Sequence, residues 1–164
     1  REAVSIMERL KKEGRLTNDW ELVMALFALG EKEKAALRIE RTFRELPDDS
    51  DVLSTRAVIF ASEGKEAQAE EMIRLAVEKG KEMGHFHHPE YNIGLAYALL
   101  KKNARAIEWL KRAAEDGLPC YPMFLSDPSL KNLRSDPRFI SFLDKLKRQW
   151  EEYKAKFSGL QIPE

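Results

Sequence analysis

The chain holds a single cysteine, Cys120, so no internal disulfide braces it, and the bridged frameworks usual in small secreted domains are excluded. A reducing compartment follows as the expectation, with the cytoplasm as the default location. Long apolar runs are also missing. No window approaches the roughly 18 consecutive apolar residues that a bilayer-spanning helix needs, so no membrane segment is expected. Net charge is absent too, because 28 Lys and Arg balance 28 Asp and Glu. No overall field draws the chain to nucleic acid or anionic lipid, and nucleic acid is an unlikely partner. Neither a glycine-rich phosphate loop nor a paired-carboxylate motif occurs, so no cofactor and no enzymatic activity are expected. The chain also starts at Arg1 rather than at methionine, which gives the expectation of a piece of a longer protein.

What remains is 43% hydrophobic and 34% charged over 164 residues, a mixture that folds and that suits helices. Apolar residues recur at i, i+3 and i+4 almost throughout, and no alternating run survives as a strand. Turn residues cut this pattern at Gly14, Gly30, Pro47 to Ser50, Gly64, Gly80 with Gly84, Lys101 to Asn103, and Gly117 to Pro119. The pieces between them are the length of helices joined by short turns.

Laying the pieces over one another exposes a repeat. Gly94, Tyr97, Ala106, Leu110 and Ala113 are spaced by 3, 9, 4 and 3 residues, and Ala57, Phe60, Ala69, Ile73 and Ala76 keep the same spacing. Val23, Leu26, Ala35, Ile39 and Thr42 keep it again, and the copies are offset by 34 and 37 residues. Small residues at a helix crossing, with an aromatic and a large apolar side chain beside it, are what close packing of two helices requires. The pattern resembles the tetratricopeptide repeat, whose period is about 34 residues. The copy with Val23 and Thr42 departs most from it, since small residues are usual at both places. Ala3, Met7 and Leu10 look like the second helix of a preceding repeat.

After the third copy, Asp127-Pro128 and Asp136-Pro137 each place a capping carboxylate before a proline suited to a first helical turn. They predict a short helix at about 128–133 and a long one at about 137–157, on which Phe139, Phe142, Leu143, Leu146, Trp150, Tyr153 and Phe157 form an apolar stripe. Trp150 is expected to close the apolar end of the third pair. The S-D-P-x-L-x-x-L-R-x-D-P-R-F run from Ser126 to Phe139, after a repeat opening His-His-x-x-Tyr-Asn, resembles the end-of-group tetratricopeptide segment of large bacterial signalling proteins. That resemblance implies an all-α, right-handed superhelical solenoid of antiparallel helix pairs with C-terminal capping helices. The divisions it implies are a preceding second helix at 1–14, repeats at 16–49, 50–86 and 87–119, and a capping segment at 120–164.

His85, His87 and His88 sit close together, but no thiol or carboxylate stands at ligand spacing beside them, so no metal is expected. They read as the start of a helix at His88-Pro89. Cys120 lacks an orienting third group, so it is not read as a catalytic nucleophile. Residues 131–156 carry eight basic and four acidic side chains, which is read as the wet face of an amphipathic helix.

In the family resembled, the first helix of each pair lines a concave groove. Carried over, the partner-binding positions are Trp20, Met24 and Phe27, then Ser54, Thr55, Val58 and Ser62, then His88, Tyr91, Asn92, Leu95 and Leu99. Members that grip a chaperone's C-terminal carboxylate use lysine and asparagine where Trp20 and Met24 stand here, so an apolar or helical ligand is expected instead. The implied function is a protein interaction scaffold that binds a peptide or partner protein within a larger bacterial signalling or regulatory protein. The alternative is an intramolecular regulatory or oligomerisation segment whose capping helix fills the groove. Oligomeric state is left open.

Overall fold

The computed structural model describes residues 2–14, 19–80 and 85–158. The connection expected at Gly84, the start of the first repeat at residue 16 and the side chain of Ala3 lie outside that description. All regular elements among the described residues are helical: α1 (Glu2–Lys12), α2 (Trp20–Ala28), α3 (Lys32–Glu45), α4 (Ser50–Ser62), α5 (Glu66–Gly80), α6 (His87–Leu99), α7 (Asn103–Glu115), α8 (Tyr121–Ser126), a 3-10 helix (Pro128–Leu133) and α9 (Pro137–Phe157).

Neighbours in sequence pack as pairs, α2 with α3, α4 with α5 and α6 with α7. The connections inside these pairs are built alike. The amide of Glu31 donates to the Leu26 carbonyl at 3.0 Å, that of Lys65 to Phe60 at 2.9 Å and that of Lys102 to Tyr97 at 2.9 Å. Such a closure needs one left-handed residue just past the helix end. Gly30 (φ 80°), Gly64 (φ 73°) and Lys101 (φ 60°) supply it.

The repeated positions are interior, apart from the half-buried Phe60. Val23, Ala35 and Ile39 have no exposure, and neither do Ala57, Ala69, Ala76, Ala106, Leu110 and Ala113. Gly94 decides how close α6 comes to α7, since a Cβ there would lie 2.7 Å from both Cγ and Cδ2 of Leu110. Between pairs, α4 packs against α2, α3 and α6, which explains why it is buried on almost every side. Arg56 of α4 works as mortar at this level: its guanidinium pairs with Glu40 through two bonds of 2.7 and 2.9 Å and lies 3.9 Å from the Phe43 ring centre and 4.9 Å from that of Phe60. The aromatic faces and the carboxylate together neutralise a cation that is largely out of water.

The helix starts expected from the two Asp-Pro pairs are present. Asp127 accepts from the Ser129 amide at 2.7 Å and Asp136 from the Arg138 amide at 2.9 Å. The cap has one more helix than the sequence pattern suggested, α8. The 3-10 helix packs on α6 and α7, and α9 packs on α8 and α7. Phe124, Leu130, Leu133 and Phe139 are buried there, with Phe124 and Phe142 edge to face at 5.4 Å. The expectation for Trp150 requires correction. It is half-buried and lines an apolar slot beside Leu118 and Pro119, while Phe139, Phe142 and Leu146 do the sealing. Length is the reason: 21 residues of α9 extend about 30 Å, whereas the 13 of α7 extend about 20 Å. The last turns of α9 therefore overhang, and every residue from Glu151 to Ser158 is exposed.

Candidate partner-binding face

The twelve positions expected to line a groove fall on α2, α4 and α6, and α4 lies against both of the others. Seven of them are interior rather than surface. Ser54, Thr55, Val58 and Leu95 have no exposure, and Phe27, Tyr91 and Asn92 keep 8%, 7% and 3%. The physical reason is an amide that ties two helices together. Asn92 Nδ2 donates to Ser54 Oγ and to Thr55 Oγ1, each at 3.2 Å, so the hydroxyl-lined middle satisfies a buried side chain and offers nothing to a ligand.

Trp20 and His88 also bring α2 and α6 together. Their ring centres are 5.3 Å apart although one begins α2 and the other lies in the first turn of α6. The start of α4 belongs to the same end of the molecule, because Asp51 feels Glu21 of α2. Burial, with the charges of Asp49 and Glu21 added, pushes the Asp51 carboxyl up to about 6. Trp20 Nε1 and Asp51 Oδ1 are both buried with no hydrogen-bond partner among the described residues. Of the twelve, Trp20, Met24, Ser62, His88 and Leu99 remain half-exposed, and the Ser62 hydroxyl donates to the Ile59 carbonyl at 2.8 Å.

The far part of the face is covered by the capping segment. Phe124 of α8 stands edge to face on Tyr91 at 5.1 Å, and the Tyr91 hydroxyl donates to Asp127 Oδ2 at 2.8 Å. Burial, then the neighbouring Asp127, pushes the Tyr91 phenol up. The covering element is thus α8 with the start of the 3-10 helix, whereas the long helix α9 packs elsewhere.

The three histidines form a chain of ring contacts, His85 to His87 at 5.9 Å and His87 to His88 at 4.3 Å. His87 packs on the turn after α7, where a Cβ on Gly117 would lie 3.2 Å from its Nδ1. Burial, then the charges of His87 and His85, holds the His88 imidazole below its ordinary range. No group of three or more His, Cys, Asp or Glu among the described residues is arranged to hold a metal ion. Cys120 is half-buried at the start of α8.

Two features escaped the sequence reading. Glu90 of α6 is 1% exposed, its Oε1 lies 3.3 Å from Arg112 Nε, and Asp116 is the acidic group facing it. Burial pushes the Glu90 carboxyl up to about 7; Asp116 adds to the shift and Arg112 opposes it. The signal for this was a glutamate one position before the apolar run of α6, which by itself reads as solvated. The second feature is a cleft of about 760 Å³ between α1 and α3, lined by Lys11, Lys34, Arg38 and Arg41 together with Val4 and Leu37. Asp19 accepts from both Lys11 and Arg38 at one side of it.

Compared with known proteins, the chain matches no family model, no curated protein and no solved structure.

Proposed function

We propose that the chain is a non-enzymatic interaction module of tetratricopeptide type, a solenoid of antiparallel helix pairs that holds a partner protein or peptide inside a larger bacterial signalling or regulatory protein. The observation that carries this reading is the burial of the five-position pattern in three successive helix pairs, with Phe60 alone half-buried, each pair closed by the same left-handed turn. Repeats of this kind contact mainly their neighbours and offer long continuous faces, so binding rather than chemistry is their usual use. The contact surface on the first helices is narrower than the sequence suggested. It consists of the half-exposed Trp20, Met24, Ser62, His88 and Leu99 rather than the hydroxyl-lined floor.

The test is affinity capture from extracts of the source cells with the wild-type chain and with Met24→Glu and Leu99→Glu. A partner held by the wild type and lost from both variants, whose denaturation midpoints stay near that of the wild type, supports the reading. Turnover of a hydrolase or transferase substrate that disappears in Cys120→Ala would replace it with an enzymatic one. A second reading, that the cap regulates this face from within the chain, is favoured by Phe124 and Asp127 on Tyr91.

A further inference from the structure

The overhang of α9 carries an apolar seam that no described residue covers. Leu143, Leu146, Trp150, Tyr153 and Phe157 follow the 3, 4, 3, 4 spacing of a two-helix interface. The first part of that seam is used inside the protein, and the rest is not: exposure rises from 2% at Leu146 to 45% at Tyr153 and 51% at Phe157. The uncovered part runs on into an apolar slot of about 470 Å³ between Trp150 and Tyr153 on one side and Leu118 to Cys120 on the other. A helix carrying one large side chain toward that slot would fill it.

The residues flanking the seam select the partner. Lys147 and Lys154 follow the two seam positions on one side, and Gln149 with Lys156 precede the next two on the other. In paired helices these flanking positions face those of the partner and decide which partner is accepted. Lys154 and Lys156 meet no carboxylate among the described residues, Lys156 instead lying over the Phe157 ring at 5.6 Å. Lys147 holds only a 3.8 Å exposed contact to Glu151. The acidic Glu151 and Glu152 stand on the outer face. Two copies of this helix would set Lys147 against Lys154 when antiparallel and Gln149 against Lys154 when parallel, so neither orientation gives the lysines an acidic partner. An anionic bilayer would meet the lysines together with Glu151 and Glu152, whose charge offsets part of the attraction.

We propose that the α9 overhang, from Trp150 to Phe157, docks an amphipathic helix of a partner protein whose apolar seam is flanked by acidic residues and whose large apolar side chain enters the Leu118–Cys120 slot. This surface is separate from the face of α2, α4 and α6, so its failure would leave that reading standing.

Fluorescence anisotropy on the whole chain tests it with two labelled three-heptad peptides, both with leucine at the seam and alanine elsewhere, one with glutamate and the other with lysine at all flanking positions. The glutamate peptide is expected to bind, and the lysine peptide to bind at least about tenfold more weakly. Phe157→Ser, and separately Lys154→Glu with Lys156→Glu, should each weaken the glutamate peptide by about tenfold while the denaturation midpoint stays put, since these side chains are exposed. Equal binding of the two peptides, or binding indifferent to Phe157→Ser, overturns the proposal. So does a sedimentation dimer of the chain that Phe157→Ser abolishes, which would assign the seam to a second copy. Partition onto phosphatidylserine and phosphatidylcholine vesicles that the same variant loses, without peptide binding, would overturn it in favour of a membrane surface.

Discussion

Asp127 serves two structures at once: it caps the 3-10 helix through the Ser129 amide and accepts the hydroxyl of the buried Tyr91. Loss of a cap costs about 1 kcal/mol, and a buried hydroxyl left without its acceptor costs roughly 1–3 kcal/mol more. Asp127→Ala should therefore cost about 2–4 kcal/mol in urea denaturation. A loss near the cap value alone would mean that Tyr91 finds another acceptor. The capping half of this role was legible, because Asp before Pro has few other uses. The Tyr91 half was not, since it joins positions 36 residues apart and no local pattern records such a pairing. Glu90 escaped for the same reason, its environment being made by Arg112 of α7 and by Asp116 just past the end of that helix. It makes stability depend on pH. The folded chain binds the Glu90 proton more tightly than an unfolded chain with an ordinary value of 4.5, so its stabilising share is complete below that value and is lost as pH rises through about 7. Glu90→Gln keeps the protonated shape at every pH. It should gain on the wild type by on the order of 2 kcal/mol at pH 8 and by little at pH 4.5. Denaturation midpoints measured across this range should diverge as pH rises, and parallel curves would sink the idea. Asp51 has the same sign between 3.8 and about 6, so a smaller slope remains in the variant.

At the scale of elements, the α6–α7 pair depends on a missing methyl group. Alanine is the better helix former by about 1 kcal/mol, but at residue 94 its Cβ would stand 2.7 Å from Leu110, and overpacking of that kind costs roughly 1–3 kcal/mol. Sterics should win or draw. Gly94→Ala is expected to lower stability by up to about 2 kcal/mol, and Leu110→Val in the same chain should recover part of the loss. A stabilised single variant would show that α6 and α7 separate more easily than their contact implies. Helix limits were largely legible, because periodicity ends where a left-handed residue or a capping aspartate stands. The short helix α8 was not, since its six residues are too few to show a period, and Pro122 sits in its first turn, where no backbone donor is needed. The candidate face was misread for a different reason. Period identifies which side of a helix is apolar or polar, but whether that side meets solvent depends on what lies across it, and for Ser54 and Thr55 of α4 that is Asn92 of α6.

At the scale of the whole molecule, burial is greatest in the middle and thins toward both ends. α6 is buried without interruption from Pro89 to Ala98, and α4 nearly so. α1 packs mainly on α2, and α9 ends in an exposed overhang. Segments with few buried contacts open before those with many. Amide hydrogen exchange under native conditions should therefore be slowest in α4 and α6 and fastest in α1 and in residues 151–158. Uniform protection from α1 to α9 would mean a single cooperative unit instead.

The turn at Lys101 has the same left-handed backbone as those at Gly30 and Gly64, and the three stand 34 and 37 residues apart, the intervals of the packed positions. A residue with a Cβ tolerates this conformation at a cost of about 1 kcal/mol, which glycine avoids. What recurs along the chain is thus a torsion angle, written in glycine twice and in lysine once. Anyone grafting this corner between two other helices would need to copy the sign of φ at one residue, and would be at liberty to choose its letter.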